Sequence, residues 1–273
     1  MSADDLKPLQ QHFAFGANWA DYAQRIDGQR IDAAEQGLHK LVAADDWQGR
    51  RVLDIGCGSG LHALAALRSG AAAVHAIDLD PDSVSTATAL LRQHQAHADW
   101  QCEVRSVFDL PEQPAYDIVY SWGVLHHTGA MYEALQRAAA QVMPGGLLVF
   151  ALYRKTRLCA FWKIEKRWYS RASAPAQRRA QGVYTLLVRL ALCLRGRSFA
   201  SFRQDYLSSR GMNFEHDVHD WLGGYPYESI RPQQVADFMH GLGFQEVRSF
   251  TRPGGWGWGG SGCDEYVYQR PAS

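Results

Sequence analysis

Apolar residues recur with two different spacings through the middle of the chain. Strands are predicted at residues 52–55, 74–78, 101–107 and 147–152, and another begins at Asp117; the first and last of these are the clearest apolar runs. Segments with helical spacing separate these runs, and residues 61–67 and 131–142 are the clearest of them. Five strands that alternate with helices over residues 51–152 predict an α/β domain built on a doubly wound parallel sheet.

The chain on either side of this alternation carries further elements. Residues 6–45 are predicted to be helical, and a helix over 231–242 precedes two predicted strands, 245–250 and 265–269. The apolar positions that support the N-terminal helix are Ile31, Ala34, Leu38 and Leu41.

Residues 153–222 change to a basic, helical pattern. Pro175 is predicted to break the first of these helices. Residues 183–194 are apolar except for Tyr184, Thr185 and Arg189, which predicts the core of a helical insertion; an interfacial helix is the alternative. The predicted divisions are an N-terminal helical lid over 1–45, a core over 46–152, a basic helical insertion or cap over 153–228 and a completion of the core sheet over 229–273.

Three glycines at alternate positions follow the first strand directly. Together with Asp54 they form the pattern D-x-G-x-G-x-G over residues 54–60. A dinucleotide fingerprint would place its last glycine at position 61, which is Leu. The pattern resembles motif I of the class I S-adenosylmethionine (SAM) dependent methyltransferases, and an ordinary glycine-rich turn is the alternative.

This resemblance covers residues 51–152, including a Pro-Gly-Gly turn, and residues 231–270 in outline. It implies SAM as the cofactor and a Rossmann-like seven-stranded sheet, mostly parallel with an antiparallel last strand. Residues 221–228 are similar to those of a bacterial small-molecule subgroup, which is ubiquinone-methyltransferase-like. The residues expected to bind the cofactor are Asp54, Gly56, Cys57, Gly58, Gly60, Asp78, Leu79, Asp109 and Ser121.

Three acids in this set of strands have different expected roles. Asp78 ends the second strand, where a carboxylate can accept hydrogen bonds from both ribose hydroxyls. Asp80 is expected to cap the helix that Pro81 starts. The resemblance places Asp109 near the adenine amino group, and a local turn is the alternative for that residue.

The fourth strand runs into a histidine pair, His126 and His127. Phosphoethanolamine methyltransferases resemble this segment and use a histidine at the second place with a tyrosine from the N-terminal lid. The resemblance therefore makes His127 the candidate general base, with His126 beside it and Tyr22 as the partner. Simple packing of the paired histidines is the alternative.

Acceptor-binding residues are expected at the strand ends and in the insertion. They are Trp122, Tyr153, Arg210, His216, Tyr225, Tyr227 and Glu228. His216 and His219 have the spacing of metal ligands on one helical face, but no third ligand is evident and methyl transfer needs none. No metal is predicted.

The net charge of zero is the sum of a basic region and an acidic remainder. Residues 151–210 hold 14 Lys or Arg and two acids, and the remainder holds 14 basic and 26 acidic residues. The basic segment is interpreted as a helical insertion packed on an acidic core, or as a lid that meets an anionic partner.

The five cysteines form no C-x-x-C pair, and no signal-like or membrane-spanning run is present, which together predict a cytoplasmic protein. The prediction is a SAM-dependent enzyme that methylates O or N of a small metabolite such as a sugar or natural-product precursor. The alternative is an RNA or lipid-linked acceptor held by the basic insertion, although the base-methyltransferase motif Asn-Pro-Pro-Tyr is absent after strand four. Nucleic acid is therefore the disfavoured partner, and a membrane surface is a further alternative.

Overall fold

The computed structural model describes residues 23, 26–210, 214–252, 255–258, 260 and 262–272, without the side chains of 207–210, 215 and 216. The strands are β1 (Arg51–Ile55), β2 (Ala73–Asp78), β3 (Asp99–Val104), β4 (Tyr116–Trp122), β5 (Val142–Tyr153), β6 (Gln245–Phe250) and β7 (Cys263–Gln269). The α-helices are α1 (Gly28–Leu41), α2 (Leu61–Arg68), α3 (Pro81–His94), α4 (Met131–Ala140), α5 (Cys159–Tyr169), α6 (Ala174–Cys193), α7 (Phe199–Arg210), α8 (Phe214–Gly223) and α9 (Pro232–Gly241). Short 3₁₀ turns occupy Ala44–Trp47, Val107–Asp109 and Leu125–His127.

The seven strands form one sheet in the order β3-β2-β1-β4-β5-β7-β6. β1 to β5 are paired in parallel, and β7 is antiparallel to both β5 and β6. The predicted Rossmann-like fold with an antiparallel last strand is therefore confirmed. The strand order reverses between β1 and β4, and in open α/β sheets ligands bind at the carboxyl ends of the strands at such a point.

Apolar residues cover the two faces of the sheet in separate layers. One layer joins α1, α2 and α3 to the sheet, and the other joins α4 and α9 to it. The four apolar positions predicted for α1 are all buried in the first layer, namely Ile31, Ala34, Leu38 and Leu41. Their spacing alone thus identified the buried face of α1.

Several element boundaries differ from the prediction, among them the end of α1, which lies at Leu41 although residues 6–45 were predicted to be helical. The third strand ends at Val104 rather than at 107, because the chain enters a 3₁₀ turn in which the Ser106 hydroxyl accepts from the Phe108 amide. β5 begins at Val142 rather than at 147, and it includes the Pro-Gly-Gly segment that was predicted to be a turn.

The segment between β5 and α9 is helical and has an apolar cluster of its own, to which α5, α6, α7 and α8 contribute. Its two ends are joined to each other by main-chain contacts. The Lys155 amide donates to the Ile230 carbonyl at 2.8 Å, and the Ile230 amide donates to the Tyr153 carbonyl at 3.0 Å. Arg154 and Ile230 form a parallel bridge there. The four-part division of the chain stays a prediction.

The helix α6 corrects two predictions. Pro175 lies in its first turn, where a missing amide costs nothing, so this proline begins a helix. The segment 183–194 was predicted to be the core of the insertion, but Val183, Leu186, Leu187 and Leu190 are each more than half exposed. Only one side of α6 packs inward, and the other apolar side faces outward.

Candidate active site

The backbone conformation and the packing of the turn after β1 both favour glycine over residues that carry a side chain. Gly56, Gly58 and Gly60 have φ of 75°, 52° and 81°, a region that favours glycine. A Cβ at Gly56 would lie 2.4 Å from Cγ2 of Val124. The amides of Gly56 and Cys57 both donate to the Ile77 carbonyl, at 2.8 and 3.0 Å. The turn is thereby held between β2 and the segment that follows β4.

Asp54 places a buried carboxylate directly under this turn. Its Oδ2 has no hydrogen-bond partner among the described residues. Burial raises the pKa of Asp54 to about 7, and the nearby charge of Asp78 acts in the same direction. A buried acid in this condition is complementary to a cationic group.

Asp78 closes the turn from the end of β2. Its Oδ2 accepts from the Gly58 amide at 3.0 Å, and its Oδ1 accepts from the Asp80 amide at 2.9 Å. Burial raises the pKa of Asp78, and these two amides oppose the shift. Asp80 is the N-cap of α3 as predicted, because its side chain accepts from the Asp82 amide.

The other predicted cofactor residues occupy different environments. Cys57 is buried, and burial raises the pKa of its thiol well above the ordinary value. The Ser121 hydroxyl donates to the Ile55 carbonyl at 3.1 Å, which ties the end of β4 to the end of β1. Leu79 is half-buried, whereas Asp109 is exposed in the 3₁₀ turn after β3.

At the end of β4, Trp122 lies near His62, which was not among the predicted site residues. The Trp122 indole donates to Glu265 on β7 at 3.0 Å. His62 lies in the first turn of α2, with its ring 5.2 Å from that of Tyr120 and 6.5 Å from that of Trp122. Burial lowers the pKa of His62 to about 4. Its position two residues after Gly60 was the only sequence signal for it.

The histidine pair lies against the end of β5. The ring of buried His126 is 3.8 Å from that of Tyr153 and 4.4 Å from that of His127. Both ring nitrogens of His126 are buried. Burial, and then His127, lower the pKa of His126 well below its ordinary value, so this ring is neutral.

His127 is oriented by the insertion. Its Nδ1 donates to the Pro226 carbonyl at 2.7 Å. A Cβ at Gly224 would lie 2.6 Å from its Cε1, so the backbone of the insertion presses directly on the ring. The structure therefore brings residues 221–228 to the histidines, although 99 positions separate His127 from Pro226.

A buried lysine lies beside this group and was missed by the sequence reasoning. Nζ of Lys166 is 3.4 Å from the ring centre of Trp221 and 5.5 Å from that of Tyr227, and it donates to the Trp221 carbonyl. Burial lowers the pKa of Lys166 and raises that of adjacent Glu165. Lys166 shares a helical face with buried Trp162 and Tyr169, and this spacing was the available signal.

Three predicted acceptor residues have other contacts in the structure. The Tyr227 hydroxyl donates to Sγ of Cys159 at 3.3 Å, and Tyr225 is buried. Glu228 accepts from the Met131 amide at the start of α4 at 2.9 Å, and its own amide donates to the His126 carbonyl. One carboxylate oxygen of Glu228 is thus engaged by α4.

Some predicted residues lie outside the described part of the structure. Tyr22 is one of them, and the side chains of Arg210 and His216 are also not described. His219 contacts the Tyr169 hydroxyl at 2.6 Å and the Gln181 amide nitrogen at 2.9 Å, as part of the packing of the insertion. Among the described residues, no three His, Cys, Asp or Glu side chains are grouped to hold a metal ion.

Residues 26–201 match the model of a methyltransferase domain family. The chain belongs to this family. It is a class I SAM-dependent methyltransferase, with SAM as its cofactor, as the resemblance of the glycine turn implied.

Curated relatives of the methyltransferase share only part of its sequence. The tRNA U34 carboxymethyltransferase of Methylococcus capsulatus is 41% identical over 104 residues, which are 37% of this chain and 31% of that protein. The ubiquinone biosynthesis O-methyltransferase of Nitrobacter winogradskyi is 34% identical over 100 residues, 37% of either chain. The matched segments thus span about a third of the length of these relatives.

Solved structures share the fold of the methyltransferase at low identity. The magnesium protoporphyrin IX methyltransferase of Synechocystis PCC 6803, solved with S-adenosylhomocysteine (SAH), superposes with a TM-score of 0.55 at 15% identity, over 94% of this chain and 95% of that one. The 1,6-didemethyltoxoflavin-N1-methyltransferase of Burkholderia thailandensis has a TM-score of 0.50 at 16% identity, over 89% and 78%.

The glycine turn of the methyltransferase fits this cofactor chemically. SAM carries an ammonium group and a ribose diol, and it has no phosphate. The Asp54 oxygen without a partner supplies a buried negative group for a cation, and Asp78 supplies hydrogen-bond acceptors. Because there is no room for a Cβ at position 56, the turn has glycine there, and no side chain at this position blocks the approach of a ligand to the main chain.

Proposed function

We propose that this methyltransferase transfers the methyl group of SAM to an oxygen or nitrogen of a small-molecule acceptor held where β4 and β5 end. The observation that carries the proposal is the contact of His127 with Pro226 and Gly224, because it joins a candidate base to a wall supplied by the insertion. Val124, three residues earlier, touches Gly56 and so links this segment to the cofactor turn.

The cofactor is assigned to residues around the glycine turn. Asp54 is expected to face the ammonium group of SAM and Asp78 its ribose, with Asp109 toward the adenine. The main chain at Gly56, Cys57, Gly58 and Gly60, together with Leu79 and Ser121, is expected to complete the site. When bound, SAM supplies a methyl group on a positively charged sulfur, which makes that carbon electrophilic.

The protein has two tasks in such a transfer, which are to align the acceptor and to remove a proton where the acceptor carries one. When the Nδ1–H of His127 points at the Pro226 carbonyl, Nε2 of the neutral ring carries the lone pair that can take a proton. Tyr153 stays protonated because burial raises its pKa well above the ordinary value, so its hydroxyl can donate a hydrogen bond. His126 packs against both rings and is assigned a supporting role, with Tyr22 as the partner from the N-terminal segment.

The acceptor is proposed to carry rings or hydroxyls, as sugars and natural-product precursors do. Flat aromatic faces with polar tips surround the histidines, and such side chains suit this chemistry. Trp122, Tyr153, Tyr225, Tyr227 and Glu228 are the candidate contacts, with Arg210 and His216 from the insertion. The similarity to a ubiquinone biosynthesis O-methyltransferase supports the ubiquinone-methyltransferase-like subgroup.

An RNA acceptor is the second candidate. It is favoured by the similarity to tRNA U34 carboxymethyltransferases and by the 14 basic residues within 151–210. The two candidates differ in their response to salt, because each phosphate contact adds to the salt dependence of RNA binding. A methyl transfer to tRNA that exceeds transfer to a metabolite pool would establish this alternative.

The replacement His127→Ala tests the first proposal. Turnover of a metabolite pool with methyl-labelled SAM should fall by about 10²–10⁴-fold, the usual contribution of a general base. The affinity for SAM, measured by calorimetry, should stay within about twofold. His94→Ala, at an exposed position at the end of α3, is the matched control and should leave both quantities unchanged. Near-normal turnover of the His127 variant from pH 6 to pH 9 would show that the ring only packs.

A further inference from the structure

The outward side of α6 is apolar and exposed along most of the helix. Leu186, Leu187 and Leu190 are 53–59% exposed, and Leu194, just past the helix end, is 90% exposed. Val183 belongs to the same set. These residues recur every three or four positions and therefore lie on one side of the helix, which we call the outer face of α6.

The opposite side of the same helix is firmly packed. Ala180, Tyr184, Val188 and Leu192 join the apolar cluster of the insertion. Val218 of α8 lies in that cluster. The packed side therefore holds α6 in place on the insertion, and the outer face is a surface with a defined position.

The chain that forms and follows the outer face is strongly basic. From Arg171 to residue 204 the chain contains seven arginines and no Asp or Glu. Arg178, Arg179 and Arg195 are exposed, and within the described part of the chain none of them is ion-paired. A basic surface beside an apolar face is complementary to a lipid surface, where anionic headgroups cover an apolar interior.

A cavity of about 430 Å³ opens at the edge of the outer face. Arg178 and Arg189 line it together with Thr185, Gln181 and Leu186. Two guanidinium groups and a hydroxyl around one opening form a set of donors suited to a phosphate group. The cavity thus offers a place for a lipid headgroup where the apolar face ends.

The preceding helix repeats this composition. Phe161, Ile164 and Trp168 of α5 are 52–72% exposed at helical spacing, and Lys163 and Arg167 are exposed between them. Exposed Trp256 and Trp258 stack on each other, and their loop is tied to α5 by the Trp162 indole, which donates to the Gly257 carbonyl. Tryptophan and basic side chains are enriched at membrane–water interfaces.

We propose that the outer face of α6 rests on an anionic lipid bilayer, with its leucines in the interfacial region and its arginines against lipid phosphates. No described helix is long and apolar enough to cross a membrane, so the contact is with the surface. A second copy of the chain fits less well, because a two-fold contact would place like charges opposite each other with no acid on α6 to pair them. RNA fits less well because the outer face of α6 is itself aliphatic and has no aromatic ring on which a base could stack.

The test is co-sedimentation of the full chain with phosphatidylcholine vesicles and with vesicles that also contain phosphatidylglycerol. The wild type is expected to bind the anionic vesicles and to remain in solution with the neutral ones. Leu186→Asp combined with Leu190→Asp should lower the partition coefficient at least tenfold. Val104→Asp combined with Val247→Asp is the matched control, since both valines are 53% exposed and lie on the distant edge strands β3 and β6. This control should bind as the wild type does.

A second pair of variants tests the charge. Arg178→Ser combined with Arg189→Ser should lower binding at low salt by roughly tenfold or more, since each basic residue near an anionic surface contributes about one factor of five. Arg92→Ser on α3 is its control. Retained binding of SAH shows that each variant is folded.

Three results would overturn the proposal. The first is wild-type protein that stays in solution with anionic vesicles, and the second is undiminished vesicle binding by the leucine variant. The third is a wild-type dimer in sedimentation velocity that the leucine variant abolishes, without vesicle binding, which would assign the face to a second copy.

Discussion

The two sides of the candidate active site are built in different ways. On the cofactor side, the carboxylates of Asp54 and Asp78 lie against a main-chain turn formed by neighbouring residues. On the acceptor side, His127 receives its orientation from Pro226 and Gly224, about a hundred residues away in sequence. A turn that needs glycine is visible in the sequence, whereas a group of side chains brought together by folding is not.

The comparison is tested most strongly by Gly56→Ala. The new methyl group would have to share space with Val124, and the left-handed backbone adds its own cost, so SAM affinity should fall at least about 100-fold, an overlap-plus-strain penalty of a few kcal/mol. Calorimetric titration with SAH measures this loss. Gly243→Ala is the control, because it has a similar φ of 81° with open space around it. It should cost about 1–2 kcal/mol of stability and leave SAH affinity unchanged; equal losses of affinity in both variants would contradict the argument.

Asp54→Asn tests the electrostatic part of the cofactor side. The folded pKa of about 7 lies above the ordinary value of 3.8, so the folded protein binds more protons between these values. The free energy of unfolding of the SAM-free wild type therefore falls as the pH rises from about 4 to 7, and the loss is complete above pH 7. The variant cannot ionise, so its stability relative to the wild type should increase by roughly 2 kcal/mol between pH 5 and pH 7.

Denaturant unfolding at the two pH values measures this difference, with Asp45→Asn at an exposed position as the control. The same Asp54 variant should bind SAM more weakly than the wild type. A stability difference that does not change with pH would mean that the pKa of Asp54 is the same in the folded protein as in the unfolded chain.

Gly224→Ala should have the smallest effect and the most selective one. Its methyl group would displace the His127 ring by less than 1 Å, since it would start 2.6 Å from Cε1. We expect turnover to fall roughly tenfold, because small misplacements of a catalytic group are costly, and SAM affinity to remain unchanged. Gly37→Ala, on α1 with nothing within 4 Å, is the control. A parallel loss of SAM affinity in the Gly224 variant would remove the proposed separation of the two sides.

The fold could be predicted wherever one face of an element is buried. The spacing of Ile31, Ala34, Leu38 and Leu41 identified the buried face of α1, and the bounds of β6 agree with the prediction. The same reasoning was wrong for α6, because that helix is apolar on both its packed and its exposed side. Hydrophobic spacing reports which residues are apolar, and it does not report whether anything covers them.

The candidate site divides in the same manner. The glycine turn, Asp78 and the capping role of Asp80 follow from local backbone requirements. Lys166 was not singled out, because a lysine on a basic helix is ordinarily solvated, and its aromatic surroundings arise from α8 and the segment after it. The contacts of Glu228 with α4 likewise depend on how the insertion returns to the sheet.

The main-chain contacts of Ile230 with Tyr153 and Lys155 hold the two ends of the insertion next to each other. The length of the chain between these ends has little effect on the free energy of closing the loop, since each doubling of the length costs only about 0.6 kcal/mol. A chimera that keeps the sheet and receives a foreign sequence in place of residues 156–227 is accordingly expected to fold on the same frame. Gene duplication followed by replacement of this one segment offers a route by which a lineage can change its acceptor while inheriting an unchanged way of holding the methyl donor.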